Sequence, residues 1–171
     1  MKLKLKDIVL LAMLAALMTA GDFLLEFLPN IHLVGVLITV TTVVYRKYAL
    51  LPIYVYILIQ GLIGGFSLWW IPYLYIWTVL WGAIIIVPQK LPEKIKYILY
   101  IAVCTLHGFL FGTLYAPAQA LMFGLDFKGA LAWIAAGLMF DMIHGFGNLV
   151  LGMLLIYPIV KILKYTDKYV K

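Results

Sequence analysis

The stretch AWIAAGLMFDMIHGFGNLVLGMLLIYPIV, residues 132 to 160, holds a single charged residue, Asp141, among its 29. An α-helix rises about 1.5 Å per residue, so ~20 apolar residues cross the hydrocarbon core of a bilayer, and a run this long reads as a membrane helix. Its polar residues are not scattered. At about 100° per residue, Trp133, Gly137, Asp141, His144 and Asn148 project within one narrow stripe. An aspartate at a helix centre costs about 2.5–3.5 kcal/mol on insertion scales, and such residues most often mark a pathway or a binding site. The competing reading is a structural pair, in which Asp141 and His144, spaced i to i+3, neutralise each other.

Outward from this stretch, the whole chain has the same character. Of its 171 residues, 66% are hydrophobic and 12% charged, a balance outside the range of soluble domains. Hydropathy predicts six spans, at about 7–28, 31–45, 48–66, 68–87, 97–123 and 129–163, joined by brief connections. No linker is long enough to divide domains and no repeat is apparent, so residues 1–171 are expected to form one all-α, six-helix transmembrane domain. The opening MKLKLKDIVLLAMLAALMTAG has the form of a secretory leader, but Met18 stands where a small residue would precede cleavage. With five further spans following, it is read as an uncleaved first helix.

Charge sets the orientation. With a cytoplasmic N-terminus, the inside segments hold Lys2, Lys4, Lys6, Arg46, Lys47, Lys90, Lys94, Lys96, Lys161, Lys164, Lys168 and Lys171, which leaves only Lys128 of the 13 basic residues outside. That asymmetry obeys the positive-inside rule and requires an even number of spans, with both termini cytoplasmic. It also accounts for the net charge of +6 without nucleic acid.

Placed by depth, the polar residues gather in the outer half. Asp22 and Glu26 lie near the outer end of the first span, and Asn30 and His32 in the turn beyond it. His107 falls midway along the fifth span, with Gly108, Gly112, Tyr115 and Gln119 on one face, and Trp70, Tyr73, Trp77 and Trp81 share a face of the fourth. Tryptophans at membrane interfaces also serve as belt anchors, which is the plain alternative for Trp70. The candidate solute-binding set is therefore Glu26, His32, Trp70, Tyr73, Trp77, His107, Tyr115, Gln119, Trp133, Asp141, His144 and Asn148, lining a site open to the outside. Aromatic rings with a few placed polar groups suit a small aromatic heterocycle, and the outside acids favour a neutral or cationic one over a carboxylate.

Catalytic motifs are missing. There is no G-x-x-x-x-G-K-[ST], H-E-x-x-H, C-x-x-C or G-x-S-x-G; Ser67 is the only serine and Cys104 the only cysteine. A membrane metal hydrolase built on Glu26, His107, Asp141 and His144 is conceivable, because three ligands and an open position suffice for zinc, but the spacing is not diagnostic. The expectation is a non-enzyme without a metal site.

On the first span, Ala12, Ala16 and Ala20 recur at i+4, a smooth face on which another helix can pack closely. Six spans, an inside N-terminus, short loops, this A-x-x-x-A face and an outward polar pocket together resemble an S-component of an energy-coupling factor (ECF) transporter, over the whole chain. The run FDMIHGFGN at 140–148, followed by Tyr157-Pro158 and a basic end, is similar to the last helix of several vitamin-binding members. The resemblance implies residence in a prokaryotic cell membrane and high-affinity capture of a vitamin or vitamin precursor, such as thiamine or its pyrimidine precursor, a pyridoxine-like vitamer or a deazaguanine. It also implies docking of the Ala12/Ala16/Ala20 face on a membrane-embedded T subunit carried by two ATPases, so that ATP serves the partners and this chain holds no cofactor. The chain lacks the N-terminal histidine of the metal-specific members. A self-sufficient secondary carrier or channel is the rival reading; it predicts an inverted repeat and ion-driven transport.

Overall fold

A computed structural model describes residues 5–169, with side chains to Thr166; the topology residues Lys2, Lys4 and Lys171, and the side chain of Lys168, fall outside that range. The described residues are helical, with no strand: α1 (Leu5–Leu25), α2 (Val34–Tyr45), a 3-10 turn (Arg46–Ala49), α3 (Leu50–Gly64), α4 (Tyr73–Ile85), α5 (Glu93–Phe109), α6 (Phe111–Phe123) and α7 (Phe127–Tyr169). Three stretches are long and apolar enough to cross a membrane, Leu5–Leu25, Val34–Gly64 and Phe127–Thr166, and α5 with α6 make a fourth if a 41° bend is allowed within one span. By helix length and composition alone, three or four crossings are shown where hydropathy predicts six. The segments at 31–45, 48–66 and 68–87 contain helices of 12, 15 and 13 residues, and each rises only about 18–23 Å.

The second long stretch contains a reversal. Arg46 has φ 52° and ψ −120°, a conformation held from both sides: its Nη2 donates to the Ile85 carbonyl at 2.7 Å, and the Trp81 indole N–H donates to the Arg46 carbonyl at 3.0 Å. Neighbours on α1 reveal the change of direction. Gly21 faces Leu33 and Leu37 near the start of α2, and Leu11 and Leu14 pack with Tyr45 at its end; on α3, Leu51 and Pro52 lie beside Ile8 and Ala12, whereas Tyr56 and Gln60 bond Asp22. Hence α2 is antiparallel to α1 and α3 parallel to it.

Short α2 is the central helix. Val34 through Thr42 are all buried, and in so apolar a setting Thr39 and Thr42 satisfy their hydroxyls on the i−4 carbonyls of Gly35 and Ile38 at 2.8 and 2.7 Å. Against it packs α7, which runs antiparallel to α5 and α6. Tyr157 meets Tyr97 with ring centroids 4.8 Å apart, Gly152 faces Ile101, Asn148 bonds the Cys104 carbonyl at 3.1 Å and Trp133 stacks on Tyr115 at 5.6 Å. Asp126 starts α7 by accepting the Gly129 N–H at 2.7 Å.

Two different ends result. Where α1 and α5 begin and α2, α4 and α7 end, Lys6, Arg46, Lys47, Lys90, Lys94, Lys96, Lys161 and Lys164 collect; at the opposite end stands Lys128. Between the ends the surface is apolar, with Leu17, Leu62, Met139 and Leu154 all more than half exposed, a surface suited to hydrocarbon.

Candidate functional site

The site begins at a broken helix. Residue Leu110, at φ −101° and ψ 5°, separates α5 from α6, so the first N–H groups of α6 lose their i−4 partners. In hydrocarbon an unpaired N–H costs several kcal/mol. Asp141 supplies the remedy: its buried Oδ1 accepts the Gly112 N–H at 2.9 Å, negative charge against the positive end of a helix. Only glycine admits this approach, because a Cβ at 112 would lie 2.6 Å from Oδ2. Asp141 thus caps α6 from α7. It is not tied to His144 as the i to i+3 pair anticipated, and its other oxygen, Oδ2, has no partner within the chain.

The break turns Phe111 inward, where it joins a cluster of rings around Trp77, which is 1% exposed. Ring centroids of Tyr56, Tyr73, His32, His107 and Phe111 lie 6.5, 5.8, 6.2, 5.6 and 5.5 Å from that of Trp77. His144 closes the cluster, 4.5 Å from His32 and 5.0 Å from Phe111. All three histidines of the chain therefore meet in one place, brought by the 29–33 loop, α5 and α7. Aromatic contacts continue outward in two files, from Trp77 through Tyr73 to Trp69, and from Phe111 through Tyr115 to Trp133. The Tyr115 hydroxyl donates to the Trp69 carbonyl at 3.1 Å and joins the files.

Several polar atoms in this cluster are buried without a partner in the chain: His32 Nδ1, Trp77 Nε1, His107 Nδ1 and His144 Nε2. The position of one proton follows from geometry. His107 Nε2 lies 3.1 Å from the Ile76 carbonyl, which only accepts, so Nε2 carries a proton, and in the neutral form of the ring Nδ1 is an acceptor. Trp77 Nε1 is only a donor. The cluster thus presents a donor and an acceptor between aromatic faces.

Other expected residues serve the scaffold. Asn148 is buried between α2, α5 and α7, donates to the Cys104 carbonyl and fills the notches at Gly35 and Gly108, so it joins helices rather than lining the site. Trp70 precedes α4 instead of sharing its face; its N–H donates to the Ile57 carbonyl at 2.7 Å and its ring packs on Phe66. Trp81 belongs to the basic end. Gln119 lies one turn beyond Tyr115 and is partly buried, and Glu26 is exposed in the turn after α1. The acid that approaches the cluster is Asp22, held by the Tyr56 hydroxyl at 3.0 Å and by the Gln60 amide. The roles of Tyr56, Gln60 and Phe111 escaped the hydropathy reading, since a tyrosine or phenylalanine in an apolar run carries no mark of its depth. Among the described residues, no three His, Cys, Asp or Glu side chains are placed to hold a metal ion, and Glu26 stands apart from the other three residues of the hydrolase reading.

One expectation follows directly. Asp141→Ala should lower stability by about 1.5–3 kcal/mol, the range for a hydrogen bond to a charged group, and Asp141→Asn by less, read as melting temperature in detergent. An unchanged melting temperature in both variants would show that the cap contributes nothing.

No family model matches the chain, and comparison with curated proteins and with solved structures returns no match.

Proposed function

We propose that the chain is the substrate-binding S-component of an ECF-type importer, spanning a prokaryotic cell membrane six times with its basic end in the cytoplasm. The observation that carries this reading is the meeting of all three histidines with Trp77, Tyr73 and Phe111 at the end opposite the lysines, with polar atoms there that the chain itself leaves unpaired. Buried polar groups are ordinarily hydrogen-bonded, so a set of unpaired ones between aromatic faces suits a captured solute. The short helices α2, α3 and α4 cross within a bundle whose longer members, α1 and α7, set its thickness.

The distribution of acids refines the substrate. Asp22 is engaged by Tyr56 and Gln60, Glu26 is exposed, and Asp141 commits Oδ1 to Gly112, so recognition falls mainly to imidazole nitrogens and an indole N–H, with Asp141 Oδ2 as one further acceptor. A neutral planar heterocycle bearing both a donor and an acceptor fits that set better than a cation does. Pyrimidine precursors, pyridoxine-like vitamers and deazaguanine bases meet the description. Capture would proceed without chemistry in this chain, and ATP would be spent by the partners.

The Ala12/Ala16/Ala20 face supports the docking half of the reading. The buried residues of α1 are Asp7, Leu11, Leu14, Ala15, Met18 and Gly21, while the three alanines are exposed and free to meet a T subunit. The test is coexpression with candidate T and ATPase subunits, copurification, and mass spectrometry of any retained small molecule. Ala16→Trp should reduce uptake to background while the isolated chain still binds its solute. Uptake that continues without any ATPase would move the assignment to a secondary carrier.

A further inference from the structure

At the basic end, between the 87–92 connection, the first turns of α5 and the last part of α7, lies a polar pocket of about 120 Å³, walled by Gln89, Glu93, Lys96, Tyr97, Tyr100 and Lys164. That is roughly four times a water's ~30 Å³ share of liquid volume, room for a tetrahedral anion but not for a vitamin. We propose that this pocket binds the phosphodiester of an anionic lipid headgroup from the adjoining leaflet, independently of the solute site at the other end.

Three observations converge. First, α5 starts here: its first internal bond runs from the Lys96 N–H to the Pro92 carbonyl at 3.1 Å, and no side chain caps it, so the preceding N–H groups are available to an acceptor at the positive end of the helix. Second, Tyr97 is 8% exposed and its hydroxyl has no partner in the chain, a donor left within a wall of the pocket. Third, Lys96 and Lys164 come from different helices and flank the same space. The opposing Glu93 leaves the wall with one net positive charge, which matches the single negative charge of a phosphodiester and disfavours a dianion. A choline-bearing headgroup would add a cation beside the lysines, so phosphatidylglycerol is preferred over phosphatidylcholine.

The experiment is native mass spectrometry of the full chain with POPG and POPC offered in equal amounts. Wild type should retain POPG selectively. Lys96→Gln with Lys164→Gln should weaken retention about thirty-fold, a factor of roughly five for each basic residue facing an anionic headgroup. Lys90→Gln with Lys94→Gln, at positions exposed at the same end that do not wall the pocket, makes the same change in charge and should leave retention nearly as it was. Tyr97→Phe should weaken retention several-fold without lowering the melting temperature, whereas a purely structural Tyr97 would leave retention intact. Equal loss in the two lysine pairs would reduce the effect to general surface attraction and overturn the site. Displacement of POPG by millimolar inorganic phosphate would make the ligand a free anion, and overturn the lipid assignment. Neither result bears on whether the protein captures a vitamin.

Discussion

Replacing Gly108 by leucine is expected to separate α5 from α7 at a large cost in stability. A Cβ at this position would lie 2.8 Å from the Asn148 amide nitrogen, 2.9 Å from the Gly145 Cα and 3.0 Å from the Gly145 nitrogen. Two of these atoms are backbone, so no rotamer change relieves the overlap and the helices themselves must part. Parting them also breaks the Asn148 bond to the Cys104 carbonyl, inside an apolar seam where neither group finds water. Overpacking costs about 1–3 kcal/mol, and occasionally more, and the lost hydrogen bond adds about 1 kcal/mol. Against a typical total of about 5–15 kcal/mol, a loss near 4 kcal/mol should appear as a sharply lowered melting temperature and a poor yield of monodisperse protein. Gly137→Ala is the control, because nothing lies within 4 Å of its Cβ position and alanine favours the helix by about 1 kcal/mol. If the Gly108 and Gly137 variants melt alike, the close approach of α5 and α7 is not what holds the bundle.

Trp77→Ala should cost a similar amount, and it bears on function as well. Removing a fully buried tryptophan costs about 3–5 kcal/mol, the lost transfer energy plus the cavity left among Tyr56, Tyr73, His32, His107 and Phe111. Because that variant confounds folding with binding, Trp77→Phe is the informative companion. Phenylalanine keeps most of the packing and deletes an N–H that has no partner in the chain, so stability should change little. If the N–H donates to the solute, affinity for the copurified compound should fall by the value of one neutral hydrogen bond, about 0.5–1.5 kcal/mol, or roughly two- to twelve-fold. Undiminished affinity in Trp77→Phe would remove Trp77 from the proposed recognition set while leaving its packing role intact.

These two residues illustrate what could be read before the fold was known. Trp77 and its neighbour Tyr73 were legible as site candidates, because a four-residue spacing of aromatics puts them on one helix face wherever the helix goes. Gly108 was legible only as a notch. Its partner across the seam lies 40 positions away at Asn148, and no local rule connects them. Asp141 shows the same limit: its depth marked it as important, but its task depends on a helix break at Leu110 that the apolar run 97–123 conceals, since hydropathy is indifferent to whether a helix is continuous. Trp70 was misplaced for a related reason. The face it was assigned presumes a helix through 68–87, whereas α4 begins at Tyr73; Trp81 does continue the Tyr73/Trp77 face, at the end where its indole holds the reversal at Arg46.

By itself, the sequence determined the solvent this chain is made for, its helical character, the concentration of positive charge at one end and the polar residues at the other. Those properties are sums and periods along the chain: transfer free energy accumulates residue by residue, and helical phase follows from a constant turn angle. Only the tertiary structure decided that the Asp141 carboxylate caps α6 instead of pairing with His144, that Asn148 joins helices, that Glu26 stays outside while Asp22 comes in, and that His32, His107 and His144 meet around Trp77. These are contacts between segments far apart in the chain. Each depends on where a helix breaks and how closely two backbones approach, and such geometry is settled by packing and by the need to satisfy every buried polar group.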